Sequence, residues 1–210
     1  MAGYDKGFYD TIRDGTRRSA GILVPLLLKR LGLVAPDVLD VGCGEGWWAQ
    51  TFADYGCDVI GVDGAYVESS PLGDRFVAHD LRKPLPDLGR TFDLAISLEV
   101  AEHLPPSRAI SFVDDLCKQA PVVVFSAAIP GQGGTGHLNE QWPIYWADMF
   151  TERGYDVTGM LRLEIWQDDR IENWYRQNLL VAWDPTHPID LSPGPVFPMV
   201  HPVLYDARRK

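Results

Sequence analysis

Three glycines at alternate positions follow a short apolar stretch and could form a binding site for a nucleotide-like ligand. The residues Val38–Val41 predict a short buried strand, and a helical pattern resumes over Trp47–Tyr55. Gly42, Gly44 and Gly46 therefore lie in a strand-to-helix turn, where the backbone can approach a ligand closely. Such a turn directs free N–H groups and the positive end of the helix dipole at the ligand. The spacing G-x-G-x-G differs from the dinucleotide pattern G-x-G-x-x-G, so a nicotinamide cofactor is the less favoured alternative.

Two acids stand where the next two predicted strands end, and each could bind one part of a nucleoside. Asp63 closes the second strand, nineteen residues after Gly44, and a carboxylate there can accept both hydroxyls of a ribose. Asp80 follows the third strand and could accept a hydrogen bond from an adenine amino group. Leu81 would offer its backbone N–H and an apolar contact to the adenine ring. The alternative for both acids is a structural role, in which each begins or caps a turn.

Two histidines could take part in proton transfer. His103 follows the fourth predicted strand, and open α/β sheets bind ligands beyond the carboxyl ends of their strands. His137 follows a glycine-rich loop, Pro130–Gly136, and precedes polar and aromatic residues that suit ligand recognition. An imidazole has an ordinary pKa of about 6.5 and can remove a proton at neutral pH. The sequence leaves open which of the two acts as a base, if either does, and for His137 the alternative is a loop that caps the next helix.

Strands and helices alternate along the chain from Val38, which favours a doubly wound α/β sheet with helices on both faces. The predicted strands are Val38–Val41, Asp58–Val62, Arg75–Ala78, Phe92–Leu98, Val122–Ala127, Asp156–Ile165 and Asn178–Ala182. About a dozen residues separate the last two strands, which leaves little room for a parallel crossover. We therefore expect one antiparallel strand near the C-terminus.

The sequence predicts a single domain over residues 1–210 with three parts. Residues 1–34 are expected to form a helical segment, with a helix at Thr16–Leu31 that Pro25 should bend or split. This segment could close over a bound ligand or cover one face of the sheet, and both alternatives stay open. Residues 35–183 hold the alternating strands and helices. Residues 184–210 contain six prolines and no periodicity, so we expect a tail that is extended over the surface or partly disordered.

Composition disfavours several kinds of ligand and partner. The net charge is −10, and an acidic surface repels phosphate backbones, so nucleic acid is an unfavourable partner. The three scattered cysteines are too few for a disulfide framework or a zinc site, and no clustered set of Asp and Asn predicts a magnesium site. We therefore expect no metal. No signal peptide or long apolar run is evident, which predicts a cytoplasmic protein that does not enter a membrane.

The glycine turn, with an acid two residues before it, resembles motif I of class I S-adenosylmethionine-dependent methyltransferases. The segment is Asp40-Val41-Gly42-Cys43-Gly44-Glu45-Gly46. The resemblance implies a Rossmann-like, doubly wound, seven-stranded sheet, mostly parallel with one antiparallel strand near the C-terminus. It also implies S-adenosyl-L-methionine as the cofactor, S-adenosyl-L-homocysteine as its product, and a role for Asp40 in fixing the amino end of the cofactor.

A second segment, Phe92–Leu104, resembles the strand 4 motif of small-molecule O-methyltransferases of the ubiquinone-biosynthesis type, in which a Glu-His pair follows the strand. Glu102-His103 matches that pair. The resemblance covers about residues 35–130. It implies that Ser97 and Glu99 contact the cofactor and that His103 lies near the methyl acceptor.

Motifs of other methyltransferase classes are missing, which favours a small-molecule hydroxyl as the acceptor. Ser97-Leu98-Glu99-Val100 stands where nucleobase N-methyltransferases have an Asn/Asp-Pro-Pro-aromatic motif, and no Pro-Cys pair offers the nucleophile of cytosine C5 enzymes. Aromatic and carboxamide residues around Trp142 and Trp174 would suit a polar, ring-shaped acceptor such as a sugar or secondary metabolite. Methylation of nitrogen, a nucleic-acid substrate and a cofactor-binding module without turnover stay open as alternatives.

Overall fold

The computed structural model describes residues 6–67 and 70–208, so the first five residues of the predicted N-terminal segment and the last two of the tail lie outside the description. Its strands are β1 (Asp37–Val41), β2 (Asp58–Asp63), β3 (Phe76–Ala78), β4 (Leu94–Leu98), β5 (Val122–Ser126), β6 (Asp156–Thr158) and β7 (Leu180–Trp183). They form one sheet in the order β3-β2-β1-β4-β5-β7-β6. β1 to β5 are parallel, and β7 is antiparallel to both β5 and β6. The predicted doubly wound sheet with one antiparallel strand is confirmed.

Helices cover both faces of the sheet. They are α1 (Lys6–Leu31), α2 (Trp47–Asp54), α3 (Ala109–Gln119), α4 (Pro143–Glu152), α5 (Leu161–Ile165), α6 (Asn173–Asn178) and α7 (Pro202–Arg208). Successive strand residues face opposite sides, so Val38 packs with α1 and α2 while Leu39 packs with α3 and α4. The central strands β4 and β5 are buried along their whole length, as expected for parallel strands covered on both faces.

The strand order reverses between β1 and β4, the two strands at the centre of the sheet. The connection from β1 runs to β2 on one side, and the connection from β4 runs to β5 on the other. At such a reversal the loops leave the sheet in opposite directions, which opens a crevice at the carboxyl ends of the strands. The fold therefore places the glycine turn after β1 and the Glu-His pair after β4 beside the same crevice.

Helix α1 is continuous through Pro25, so the predicted split is wrong. Leu23 and Leu27 on either side of the proline are buried in the core cluster that includes α2 and the sheet, and this packing stabilises the helix on both sides of Pro25. Within the described part of the chain, no helix is both long enough and apolar enough to cross a membrane.

The predicted sixth strand is too long. β6 ends at Thr158, which pairs with Val181 near the start of β7, and Gly159 then takes the chain out of the sheet. The apolar residues that follow form α5 instead, in which Leu161 and Ile165 are both buried at helical spacing. The short apolar run did not distinguish a strand from a buried helical turn.

The C-terminal tail is more closely packed than the sequence predicts. Its proline-rich part has no regular structure, but the Gly194 N–H donates to the Val157 carbonyl at 3.1 Å and runs the tail beside β6. His201 is buried, and its backbone N–H donates to Gln177 Oε1 at 2.7 Å. Residues 184–201 therefore run without helix or strand, in keeping with the predicted extended tail, whereas the helix α7 that follows them was not predicted.

A carboxylic acid is buried in the centre of the sheet. Asp40 on β1 is 3% exposed, its Oδ2 atom has no hydrogen-bond partner, and the backbone N–H of Ala49 in α2 donates to the carboxyl group. Burial, reinforced by the nearby charge of Asp63, raises the pKa of Asp40 to about 8. Asp40 is therefore largely protonated at neutral pH in the folded protein.

In the unfolded chain Asp40 loses its proton near the ordinary pKa of about 4, whereas in the folded protein it keeps the proton up to a pH of about 8. The free energy of unfolding therefore falls as the pH rises from about 4 to about 8. We expect Asp40→Asn, which cannot ionise, to gain stability relative to the wild type across this window, by up to about 1.4 kcal/mol per pH unit. Urea unfolding of the ligand-free protein at pH 5 and pH 8 measures this difference. The exposed Asp74→Asn variant is the control. A stability difference between Asp40→Asn and the wild type that is equal at both pH values would contradict the prediction.

Candidate active site

A cavity of about 580 Å³ lies at the carboxyl ends of the parallel strands, a size typical of small-molecule sites. Eight of the ten predicted site residues line it: Gly42, Gly44, Asp63, Asp80, Leu81, Glu99, His103 and His137. Asp40 and Ser97 do not, because both are buried beneath the cavity wall at 3% and 0% exposure. The structure therefore brings the glycine turn, two strand-end acids and both histidines together, and leaves Asp40 and Ser97 in a supporting layer.

The turn after β1 requires glycine at two positions. Gly42 has a φ of 83°, and a Cβ atom there would lie 2.3 Å from the side chain of Val100. Gly46 has a φ of 92° and immediately precedes α2. The absence of side chains lets the turn pass close to the cavity, and the N–H groups of Gly42 and Gly46 donate to the carbonyls of Val62 and Cys43, at 2.8 Å each.

Asp63 connects this turn to the loop after β2. Its Oδ2 atom accepts the Gly44 N–H at 2.6 Å, and its Oδ1 atom accepts the Gly64 N–H at 2.6 Å and the hydroxyl of Tyr66. Burial raises the pKa of Asp63 more than these hydrogen bonds lower it. The side chain is 4% exposed yet lies in the cavity wall, so its position is fixed before any ligand arrives.

Asp80 is the second acid on this side of the cavity. Arg82 donates to both of its oxygens, at 2.8 Å and 2.7 Å, and these bonds lower the pKa of Asp80 to about 2. The carboxylate is therefore ionised at neutral pH and can only accept hydrogen bonds. Leu81 beside it is 8% exposed and adds an apolar surface.

Helix α1 reaches the cavity from above the glycine turn. The Arg13 guanidinium donates to both oxygens of Glu45, at 2.9 Å and 2.6 Å, and Trp47 Nε1 donates to the same carboxylate at 2.9 Å. The Arg17 guanidinium lies 4.5 Å from the centre of the Trp47 ring. Arg13 and Trp47 line the cavity, so α1 both covers a sheet face and forms part of the site.

Carboxamide side chains that the sequence did not single out as site residues hold Glu99 in place. Asn178 Nδ2 donates to Glu99 Oε1 at 3.0 Å, and Gln132 Nε2 donates to Oε2 at 2.9 Å. Gln177 Nε2 donates in turn to Gln132 Oε1 at 3.1 Å. Glu99 also has a φ of 57°, an uncommon conformation for a residue with a side chain. The sequence signal for this network was weak, because its members come from three separate segments.

Glu102 is the most deeply buried acid at the histidine end of the cavity. It is 1% exposed, and its Oε2 atom has no hydrogen-bond partner. Burial, and then the neighbouring Glu99, raise the pKa of Glu102 well above its ordinary value, so this carboxyl group is protonated at neutral pH. A protonated carboxyl group can donate as well as accept a hydrogen bond.

The two histidines meet beside Glu102. Their ring centres are 4.8 Å apart in an edge-to-face arrangement, and one polar atom from each of His103, His137 and Glu102 lies within 4.8 Å of the others. Ligand atoms at this spacing could also bind a divalent cation, so the expectation that the protein holds no metal stays a prediction. His103 is bonded to the Gly136 carbonyl, and burial together with His137 lowers the pKa of His103 to about 4. His137 Nδ1 lies 2.8 Å from Glu140 Oε1.

Comparison with known proteins identifies the family. A family model described as "Methyltransferase domain" matches residues 16–173. Among curated proteins, a ubiquinone biosynthesis O-methyltransferase from Coxiella burnetii is 29% identical over 126 residues, which is 53% of this chain and 53% of that protein. A protein of the same name from Azorhizobium caulinodans is 37% identical over 75 residues, or 32% of this chain and 30% of that protein. This chain therefore spans about half, or less, of the length of these relatives.

Solved structures share the fold. Magnesium protoporphyrin IX methyltransferase from Synechocystis PCC 6803, solved with bound SAH, superposes on this chain with a TM-score of 0.62 at 20% sequence identity. The superposition covers 82% of this chain and 84% of the Synechocystis chain. A SAM-dependent methyltransferase from Archaeoglobus fulgidus gives a TM-score of 0.60 at 18% identity, over 85% of this chain and 99% of its own. With a family match over three quarters of its residues, the chain belongs to the methyltransferase domain family.

Proposed function

We propose that this chain binds S-adenosylmethionine in the cavity and transfers its methyl group to a hydroxyl of a small molecule. The observation that carries the proposal is that one cavity contains both groups of residues. The glycine turn and the strand-end acids Asp63 and Asp80 lie in one part of the cavity, and His103 and His137 lie in another. The names of the curated relatives, which are O-methyltransferases, and the SAH bound in the Synechocystis structure support it.

The cofactor would lie across the ends of β1 and β2. Asp63 would accept the ribose hydroxyls, and Asp80 with Leu81 would bind the adenine, whereas the backbone of the Gly42–Gly46 turn would lie against the amino-acid end. Asp40 lies beneath this turn and does not line the cavity, so it would support the backbone around the cofactor rather than contact the cofactor itself. Glu99 would lie between the cofactor and the acceptor, held by Asn178 and Gln132.

The reaction is a displacement at the sulfonium methyl carbon. The acceptor oxygen forms a bond to the methyl carbon as the carbon–sulfur bond breaks, and the sulfonium becomes the thioether of S-adenosylhomocysteine. Holding donor and acceptor in line lowers the barrier, because the bound pair reacts as a single molecule. The hydroxyl proton must go to a base, and His103 and His137 are imidazoles that line the cavity beside the strand ends.

The shape and charge of the site favour a small acceptor. The cavity has a volume of about 580 Å³, and its polar lining includes Glu102, Gln132 and Thr135 besides the histidines. These groups suit an acceptor with several hydroxyls, such as a sugar or a polyhydroxylated secondary metabolite. The net charge of −10 opposes a nucleic-acid substrate.

We expect isothermal titration calorimetry to show binding of S-adenosylhomocysteine and no binding of NAD. Asp63→Ala should weaken S-adenosylhomocysteine binding at least tenfold, because a hydrogen bond to a charged group contributes about 1.5–3 kcal/mol. Asp63→Asn keeps one acceptor oxygen and the side-chain shape, so its affinity should fall between the two. The exposed Asp74→Ala variant should bind as the wild type does.

Since Asp63→Ala also frees the N–H groups of Gly44 and Gly64, thermal unfolding of each variant should be recorded beside its affinity. Tighter binding of NAD than of S-adenosylhomocysteine, or unchanged affinity in a folded Asp63→Ala variant, would refute the cofactor assignment.

Hydroxylated metabolites, glycosides first, should be screened for formation of S-adenosylhomocysteine. With an active acceptor, loss of the base should lower kcat by about 10²- to 10⁴-fold in His103→Ala or His137→Ala, while affinity for S-adenosylhomocysteine changes less than about twofold. His187→Ala is the matched control, because His187 follows β7 and lies near the opposite, amino end of β5. Normal turnover in both cavity variants would show that neither histidine is the base.

A further inference from the structure

Glu140 is the centre of a hydrogen-bond cluster in the glycine-rich loop. Its Oε2 atom accepts the Gly131 N–H at 2.8 Å, its Oε1 atom accepts the Gly133 N–H at 2.8 Å, and the same Oε1 lies 2.8 Å from His137 Nδ1. The side chains of Glu140 and His137 are 21% and 12% exposed. The cluster therefore fixes the loop and the imidazole together at the edge of the cavity.

These contacts decide where the proton of the His137 ring lies. Burial raises the pKa of Glu140, but hydrogen bonds from His137, Gly131 and Gly133 together lower it below its ordinary value. Glu140 is therefore ionised at neutral pH and can only accept hydrogen bonds. Nδ1 of His137 must then carry the proton, and Nε2 of the neutral ring carries a lone pair.

The position next to Nε2 has no side chain. A Cβ atom on Gly134 would lie 2.3 Å from His137 Nε2, so any larger residue would displace the imidazole or cover this nitrogen. Both Gly134 and His137 line the cavity. The titratable groups around the ring are Glu140 on the loop side, Glu102 and Glu99 from the segment after β4, and His103 at the ring edge.

His103 is less suited to take a proton. Its ring is bonded to the neutral Gly136 carbonyl, whereas the ring of His137 is bonded to the Glu140 carboxylate. Its pKa of about 4 makes His103 a weak proton acceptor. The His103 ring packs against the His137 ring in an edge-to-face arrangement, with 4.8 Å between the ring centres.

We propose that Glu140 is a positioning residue that holds His137 in the Nδ1–H form, and that His137 Nε2 accepts the proton of the acceptor hydroxyl. The inference rests on the proposed methyl transfer and selects one base from the two candidates. As the oxygen–methyl bond forms and the carbon–sulfur bond breaks, the O–H proton moves to Nε2. The imidazolium that results is stabilised by the Glu140 carboxylate at Nδ1.

The hydrogen-bond part of the proposal can be tested without an acceptor. Protein labelled with ¹⁵N-histidine, dialysed against EDTA and saturated with S-adenosylhomocysteine, gives the tautomer of each ring from long-range ¹H–¹⁵N correlation spectra. The signals of His137 are assigned as those that disappear from the spectrum of His137→Ala. We expect the Nδ1–H form in the wild type, in Glu140→Gln, which keeps an acceptor oxygen, and in the exposed control Glu152→Gln. Glu140→Ala should lose the preference for that form.

The proton-transfer part uses an acceptor found by the hydroxyl screen. We expect kcat to fall by about 10²- to 10⁴-fold in His137→Ala, at least tenfold in Glu140→Ala, and less in Glu140→Gln, with KM for S-adenosylmethionine within about twofold of the wild type. Gly134→Ala should lower kcat as well, because its methyl group would occupy the space beside Nε2. Glu152→Gln should leave kcat unchanged.

Three results would overturn the inference. The first is an Nε2–H ring in the wild type, and the second is a larger loss of kcat in His103→Ala than in His137→Ala. The third is a purely structural role for Glu140, which would appear as equal losses of kcat in the Gln and Ala variants with an unchanged tautomer. A screen in which no acceptor is methylated would instead count against the proposed function, and the tautomer spectra would still report on the dyad.

Discussion

The hydrogen bond from the Gly44 N–H to Asp63 is the interaction on which the rest of the site depends. It joins the turn after β1 to the end of β2, and it can form because parallel strands bring their carboxyl ends to one edge of the sheet. Gly42 can adopt its conformation only without a side chain, since Val100 occupies the space that a Cβ atom would need. The cavity exists because these backbone constraints hold the turn open beside the acid.

Burial divides the acids of the site into two chemical groups. Asp40 and Glu102 are buried without full hydrogen bonding, and burial raises the pKa of each far enough for the neutral form at pH 7. Asp80, Glu45 and Glu140 have Arg or His partners, and their pKa values are lowered. The cavity wall thus holds the neutral carboxyl group of Glu102, which can donate a hydrogen bond, and the ionised carboxylates of Asp80 and Glu45, which can only accept one.

The sequence predicts the sheet, and it singles out the glycine turn and the strand-end acids that line the cavity, because their signals are local. The apolar run before Gly42 and the acids that close β2 and follow β3 are each read from a few adjacent residues. The Glu99 network could not be predicted in this way, since Gln132, Gln177 and Asn178 meet only through the antiparallel pairing of β7. Asp40 and Ser97, which the sequence also predicts as cofactor-binding residues, are buried on β1 and β4 and do not line the cavity. The packing of α5 and of the tail likewise depends on distant contacts.

The central claim is that a sulfonium nucleoside lies across the ends of β1 and β2, with its ribose on Asp63. A crystal structure of the protein with S-adenosylhomocysteine tests this most directly. The account predicts both ribose hydroxyls within about 3 Å of the Asp63 carboxylate, the adenine beside Asp80 and Leu81, and the sulfur facing His137. A nucleoside bound elsewhere, or bound in this cavity with its ribose away from Asp63, would contradict it.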